Sequence, residues 1–223
     1  IKVEKGVIVE EINMYRDMPQ RYVSDLFENL LYGDQPAGWE IAGEKEIITK
    51  LQRGDFVDYF NTHYIADNTI IAVAGNVNPE DIKEKVAKYF EHIRKGEKFS
   101  KLAVKEEQTS PKSLIHFKQT DQTHFYLGLR SCDMFNHDKY PLGLLSIILG
   151  GGMSSRLFDE IREKRGLAYY VKAGNQTYTD SGFFAVRAGV NNEKVYEAIT
   201  VTLNELKKVA DKGIEADELQ RAK

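Results

Sequence analysis

Two carboxylates near the start of the chain, Glu4 and Glu11, stand seven residues apart in a stretch where Val7, Ile8, Ile12 and Tyr15 recur at helical spacing. At about 100° per residue, seven residues return to within about 20° of the starting direction. Both carboxylates therefore project from one face, two turns apart, with Glu10 beside them. Such a pair suits one metal ligand and one supporting partner, and it equally suits a charged helix surface. The remaining ligand types do not complete a site. No two of the five histidines, His63, His92, His116, His124 and His137, fall within five residues of each other. No HExxH or HxxEH is present, so no zinc site is readable from local spacing. The single cysteine, Cys132, excludes an internal disulfide framework. It ends an apolar strand and reads as a small buried hydrophobe rather than a nucleophile.

A second pair stands in Gly150 to Tyr170, GGGMSSRLFDEIREKRGLAYY. Arg162 lies in the last turn of an amphipathic helix opened by the Ser-Ser pair and closed at Gly166. Tyr169 lies seven residues further on, in the strand that begins at Leu167. Flanking one sharp corner, the two can lean into the same cleft, arginine with its fork of donors and tyrosine with its hydroxyl. Alternatively, Arg162 caps helix carbonyls and Tyr169 is a half-buried strand residue. The triple glycine is not a phosphate loop, since no GK[ST] follows. It follows a helix rather than a strand, so it is no dinucleotide fingerprint either; it suits a sharp turn or a close backbone approach.

The elements that must position these residues alternate between helix and strand. Residues 4–32 read as helix, broken at Met18-Pro19 because proline lacks the amide and clashes with the preceding turn. Gly33 to Gly43 is a loop that Trp39 is expected to pin to the body of the domain. Glu44 to Leu51 is a short helix, and Asp55 is the expected N-cap of the next. Asn68 to Asn76, NTIIAVAGN, is a continuous apolar run and reads as a buried strand. Asn78-Pro79 opens a helix with Ile82, Val86, Tyr89, Phe90 and Ile93 on its stripe. Residues 94–112 are charged and poor in large apolar groups, which marks a linker. Ser113 to Lys118 and Thr123 to Arg130 read as strands. In the latter Phe125, Leu127 and Leu129 point one way and His124, Tyr126 and Arg130 the other. Lys139 to Leu149 is an apolar helix. Strands at Leu167 to Tyr178 and Gly182 to Val190 precede a helix over Asn192 to Lys212, striped by Val195, Ile199, Leu203, Leu206 and Val209. The class is α+β.

Composition excludes several functions. The chain has 223 residues, 42% hydrophobic and 29% charged, with a net charge of −3 mixed along its length. No basic stripe points to nucleic acid, and no apolar run approaches the ~20 residues of a membrane helix. Residue 1 is Ile, no signal-peptide pattern is visible, and GIEADELQRAK at the end reads as a helix just begun. An internal piece of a longer protein, of cytoplasmic placement, is the expectation.

Taken together, EKGVIVEEINMYRDMP at Glu4 to Pro19, NTIIAVAGNVNPEDI, DQTHFYLGLRS and LGGGMSSRLFDEIREKRGLAYYV resemble, in order, blocks of the pitrilysin-superfamily inverted-motif (HxxEH) zinc metallopeptidases, in the branch of mitochondrial processing peptidase and its bacterial relatives. The resemblance implies two similar layered α/β domains, each with a largely antiparallel sheet packed by helices. Residues 1–93 would be the C-terminal part of the first, zinc-site domain, 94–112 a linker, and 113–223 a second domain truncated at its C-terminus. It implies Glu11 as a zinc ligand, Glu4 as the acid supporting the site from the same helix, and Arg162 and Tyr169 as the pair reaching the substrate. The HxxEH segment, with two histidine ligands and the glutamate base, would lie upstream of Ile1, so this chain alone would be inactive. In such a site zinc lowers the pKa of its water to about 7, and a tyrosine hydroxyl is a suitable oxyanion donor, typically worth ~10²–10³ in rate. The implied activity is zinc-dependent hydrolysis of extended peptides or presequences, with a homo- or heterodimer with a related subunit as a further implied partner. A strand edge next to the glycine corner could take an extended peptide. The resemblance leaves open a second function, a non-catalytic homologue serving as a partner or structural subunit.

Overall fold

The computed structural model describes all residues, 1–223. Helices α1 (Lys2–Asp17), α2 (Pro19–Tyr32), α3 (Lys45–Lys50), α4 (Arg53–His63) and α5 (Pro79–Phe90) come first. Strand β1 (Gln122–Arg130), helix α6 (Lys139–Gly150), strands β2 (Ala168–Thr177) and β3 (Gly182–Asn191), and helices α7 (Val195–Lys212) and α8 (Ala216–Ala222) follow. The α1–α2 break falls at Met18, whose backbone is extended (φ −102°, ψ 93°), with Pro19 opening α2. The chain forms two compact units, 1–12 with 42–102, and 13–41 with 103–223.

The first unit is helical. Ile12 is buried on α1, while Glu4, Glu10 and Glu11 are exposed. Lys5 reaches the C-terminal end of α3, donating to the Thr49 carbonyl at 2.9 Å and also bonding that of Leu51. A cation there satisfies carbonyls that the helix leaves unpaired. The N-cap of α4 is Gln52 rather than Asp55. Asp55 sits at the third helical position and accepts from the Gln52 amide at 2.6 Å, a capping-box arrangement that needs an acid one turn in. Asn78 caps α5 by accepting from the Glu80 amide at 2.9 Å. The run 68–76 does not form the expected buried strand: no strand lies beside it to complete a ladder, and Ile70 is 94% exposed. The apolar stripe of α5 is covered only in part, with Ile82, Val86 and Ile93 half-buried and Tyr89 and Phe90 exposed.

The second unit is a three-stranded antiparallel sheet in the order β1-β3-β2 with helices on both faces. On one face Phe125, Val171, Phe184, Val186, Ala188 and Val190 build the main core with Leu149 of α6, Leu157, Ile161 and Ala198 of α7. On α7, Ala198, Thr202 and Glu205 are the deepest positions, whereas Leu203 is exposed. On the other face Phe183 and Ala185 pack with Leu31 and Tyr32 of α2 in a smaller cluster that also takes in Phe27 and Tyr126. Residues 104–106 are tied to this body. The Gln35 side chain accepts from the Lys105 amide at 2.9 Å and donates to its carbonyl at 3.0 Å, and Arg130 pairs with Glu106 at 3.0 Å. The expected strand at 113–118 does not form, for the same reason as 68–76; Ile115 is 95% exposed. Leu129 is exposed despite its alternation, and Cys132 is only partly buried. The class is α+β, with its single sheet in this unit.

Helix α6 packs directly on β2 through Gly150. A Cβ there would lie 2.1 Å from the Ala173 amide nitrogen and 2.8 Å from the Lys172 carbonyl carbon, both backbone atoms that cannot swing aside. Around Gly152 a Cβ meets nothing within 4 Å. Gly150→Ala is expected to lower stability by about 1–3 kcal/mol, the usual cost of overpacking. Gly152→Ala is expected to stay within about 0.5 kcal/mol of the parent. Denaturant unfolding of the two variants side by side measures the difference.

Candidate functional site

The corner between α6 and β2 is built from buried anchors spaced around two exposed side chains. After Gly152, the Ser155 hydroxyl and amide both donate back to the Gly152 carbonyl, at 2.6 and 3.1 Å. Regular helix therefore begins at Arg156 rather than at the Ser-Ser pair. From Phe158 to Glu163 it widens into a π-helical turn, with the Lys164 amide donating to the Asp159 carbonyl at 2.9 Å. Gly166, at φ 57°, closes the turn, and its amide reaches the Arg162 carbonyl at 3.0 Å. Leu157, Ile161 and Leu167 are buried, which fixes the corner to the core. Single-turn π segments are rare and recur at functional sites.

Arg162 follows Ile161 and is exposed, with its guanidinium 5.1 Å above the Phe158 ring. Its neighbours are occupied. Arg156 binds Glu218 through two nitrogens, Nε at 2.7 Å, which raises the arginine and lowers the carboxyl by direct hydrogen bonding. Glu160 takes Lys164 at 2.7 Å and Arg165 at 2.5 Å, and these hydrogen bonds, Lys164 first, hold its carboxyl down at about 2. Arg162 alone among the cations of this corner is in no ion pair, so its donors are free.

Tyr169 owes its exposure to a bulge. Ala168 pairs with Val190 and Tyr170 with Gly189, so two steps on β2 match one on β3 and Tyr169 is the inserted residue. Ala168 and Val171 both turn into the core, while Tyr169 is 56% exposed. Bulges of this kind re-aim side chains beside active sites. The sequence carried one signal for it: Ala168, Val171 and Ala173 break strict alternation.

Sequence reasoning missed a groove of about 430 Å³ on the α2 face of the sheet, inside the second unit. Arg21, Asp25 and Glu28 of α2, Trp39 of the following loop, and Lys172 and Arg187 of the strands line it. Trp39 does not pin its loop by burial. It is 58% exposed and its indole donates to Asp34 at 2.9 Å, within the loop itself. The Tyr178 hydroxyl donates to Glu28 at 2.7 Å. Burial pushes the Glu28 carboxyl up despite that bond, and burial first, then Glu28, pushes the Tyr178 phenol up. Asp25 is raised too, again chiefly by burial. Lys172 and Arg187, the one charged residue of β2 and of β3, were the readable signal.

Glu4 and Glu11 share one side of α1, as their spacing requires, and both are exposed. No three His, Cys, Asp or Glu side chains come together anywhere in the chain to hold a metal ion. A catalytic zinc takes three protein ligands and an open position, so the residues present do not by themselves fit one.

Residues 50–223 match the family model of the peptidase M16 inactive domain. An uncharacterized zinc protease of Rickettsia bellii is 36% identical over 224 residues, covering 100% of this chain and 53% of that protein. Another from Bacillus subtilis is 35% identical over 226 residues, covering 100% and 54%. The crystal structure of a peptidase M16 inactive domain from Pseudomonas fluorescens superposes with a TM-score of 0.86 at 25% identity, over 99% of this chain and 54% of that one. The chain thus spans about half the length of the relatives it matches.

The groove carries a pH signature. Glu28 binds its proton more tightly folded than unfolded, because burial raises it above the ordinary carboxyl value of 4.5. Its favourable contribution is therefore complete below about pH 4.5 and is lost as pH rises through the folded value. Glu28→Gln keeps an acceptor for Tyr178 without a charge to desolvate. The variant is expected to melt higher than the parent at neutral pH, with the advantage shrinking as pH falls. Melting temperatures of both across the acid-to-neutral range check the sign.

Proposed function

The chain belongs to the M16 peptidase family, and from that premise we propose that its parent protein is a zinc-dependent metalloendopeptidase hydrolysing extended peptides. The observation that carries the reading is the corner. Arg162 stands there without an acidic partner and Tyr169 is turned outward by a bulge, both fixed to a buried core. In this reading Arg162 clamps a peptide carbonyl or carboxylate, and Tyr169 offers its hydroxyl to the oxyanion that forms during hydrolysis. Glu11 is one zinc ligand and Glu4 its support on the same helix. The other ligands and the general base belong to the part of the protein that the matched relatives have and this chain does not span. Residues 1–93 then belong to a zinc-site domain, 94–112 to a linker and 113–223 to its second, similar domain. A related subunit is a further partner. The 223 residues alone turn over no peptide.

The test uses the full-length protein. Bound zinc by elemental analysis and cleavage of an unstructured peptide are expected. Glu11→Gln is expected to abolish cleavage and strip the metal. Tyr169→Phe should lower the rate about 10²-fold or more with the metal retained. A full-length protein with neither zinc nor cleavage overturns the reading in favour of a non-catalytic partner subunit, and cleavage that survives Glu11→Gln overturns the zinc site built on Glu11.

A further inference from the structure

One polar pair beside Tyr169 is left unused by the reading above. Tyr170, Gly189 and His124 form a single row across the three strands, because Tyr170 pairs with Gly189 and Gly189 with His124. The Tyr170 hydroxyl and His124 Nδ1 share a hydrogen bond of 3.0 Å, and the rings stack at 5.8 Å and 27°. They meet above β3 only because Gly189 has no side chain. A Cβ there would lie 2.4 Å from Tyr170 Cε1 and 3.1 Å from His124 Nδ1. Burial lifts the Tyr170 phenol to about 12 and lowers the His124 imidazole, so the bond joins two neutral groups at neutral pH.

The bond exists only in the bulged register. Without the inserted residue, side-chain alternation would send Tyr170 into the core face that now holds Ala168 and Val171, away from His124. The same slip would put Tyr169 opposite Gly189, in the row that Tyr170 now shares with His124, and so remove it from the position it holds as the inserted residue. The Tyr170–His124 contact ties β2 to the far strand β1 directly after the bulge, and it opposes that slip.

We propose that His124 and Tyr170 are positioning residues for Tyr169: their hydrogen bond across Gly189 locks the bulge that presents Tyr169 to an extended peptide. The inference rests on the reading of Tyr169 as substrate-facing.

The experiment measures binding of fluorescein-labelled casein, an unstructured polypeptide, to the full-length protein by anisotropy, with EDTA present to stop turnover. Tyr169→Ala is expected to weaken binding about tenfold. Tyr170→Phe and His124→Phe are expected to weaken it about three- to tenfold, and His124→Asn, which keeps a donor and an acceptor at the same reach, to stay within about twofold. In the Tyr169→Ala background Tyr170→Phe is expected to add nothing, since it acts through the residue already removed. A purely structural role would instead add in full, and that outcome overturns the proposal. So does a Tyr170→Phe or His124→Phe variant that binds like the parent while Tyr169→Ala does not. An unaffected Tyr169→Ala overturns the reading of Tyr169 and this inference with it. Thermal melts accompany each variant; should Tyr170→Phe fail to fold, His124→Phe against His124→Asn decides.

Discussion

The register of β2 against β3 is the constraint on which the second unit depends. Below the bulge, every residue of β2 from Tyr170 to Thr177 has its partner fixed on β3, and β3 in turn fixes β1. That register assigns Val171 and Ala173 to the main core and Lys172 to the groove. A slip by one residue would exchange the two sets and bury a lysine against α6. The bulge lets the strand satisfy two demands at once. Ala168 enters the core as the first strand residue after the corner, and the downstream residues keep their own faces. Tyr169 is the residue left over, and its exposure follows from the core's demands rather than from any preference of tyrosine.

The corner is anchored in the same way from the helical side. Leu157 and Ile161 are fully buried, and the chain must then climb out and re-enter at Leu167, also buried, to begin β2. A wider π turn and a glycine at positive φ accommodate the residues between. Those residues are necessarily on the surface, which is where Arg162, Lys164 and Arg165 sit. Glu160 neutralises two of these cations and Glu218 of α8 holds Arg156. An aromatic face rather than an acid stands under Arg162, which orients a guanidinium without consuming its hydrogen-bond donors.

Much of this was legible in the chain. Pro19 and the Asn78-Pro79 pair fix helix boundaries through backbone chemistry alone, and the structure places both as that chemistry requires. Strands β2 and β3 were readable as a hairpin because a short polar turn joins them, whereas β1 was readable only from its own alternation, its partner β3 lying more than fifty residues on. The runs at 68–76 and 113–118 show the limit of such reading. An apolar, β-prone composition states that a segment needs burial and a ladder, not which strand supplies them, and no neighbouring strand does so here. At the start of α4, aspartate suits the cap and the third position almost equally, and only the geometry of Gln52 separates them.

The site was legible to a different extent. Glu4 and Glu11 on one face of α1 follow from helical periodicity, and Arg162 and Tyr169 at one corner follow from the glycine that ends the turn. Their exposure does not follow, because it depends on the bulge and on which cations find acids. The groove was least visible. Its lining comes from α2 and the loop after it and from all three strands, more than eighty residues further along the chain, and only the sheet register brings Lys172 and Arg187 to the face where Glu28 and Tyr178 meet. A carboxyl that burial has already pushed toward its neutral form, set among arginines and a lysine, keeps a mixed potential in the groove. Neither sign of charge prevails there, since Arg21, Lys172 and Arg187 stand against Asp25, Glu28 and Glu40.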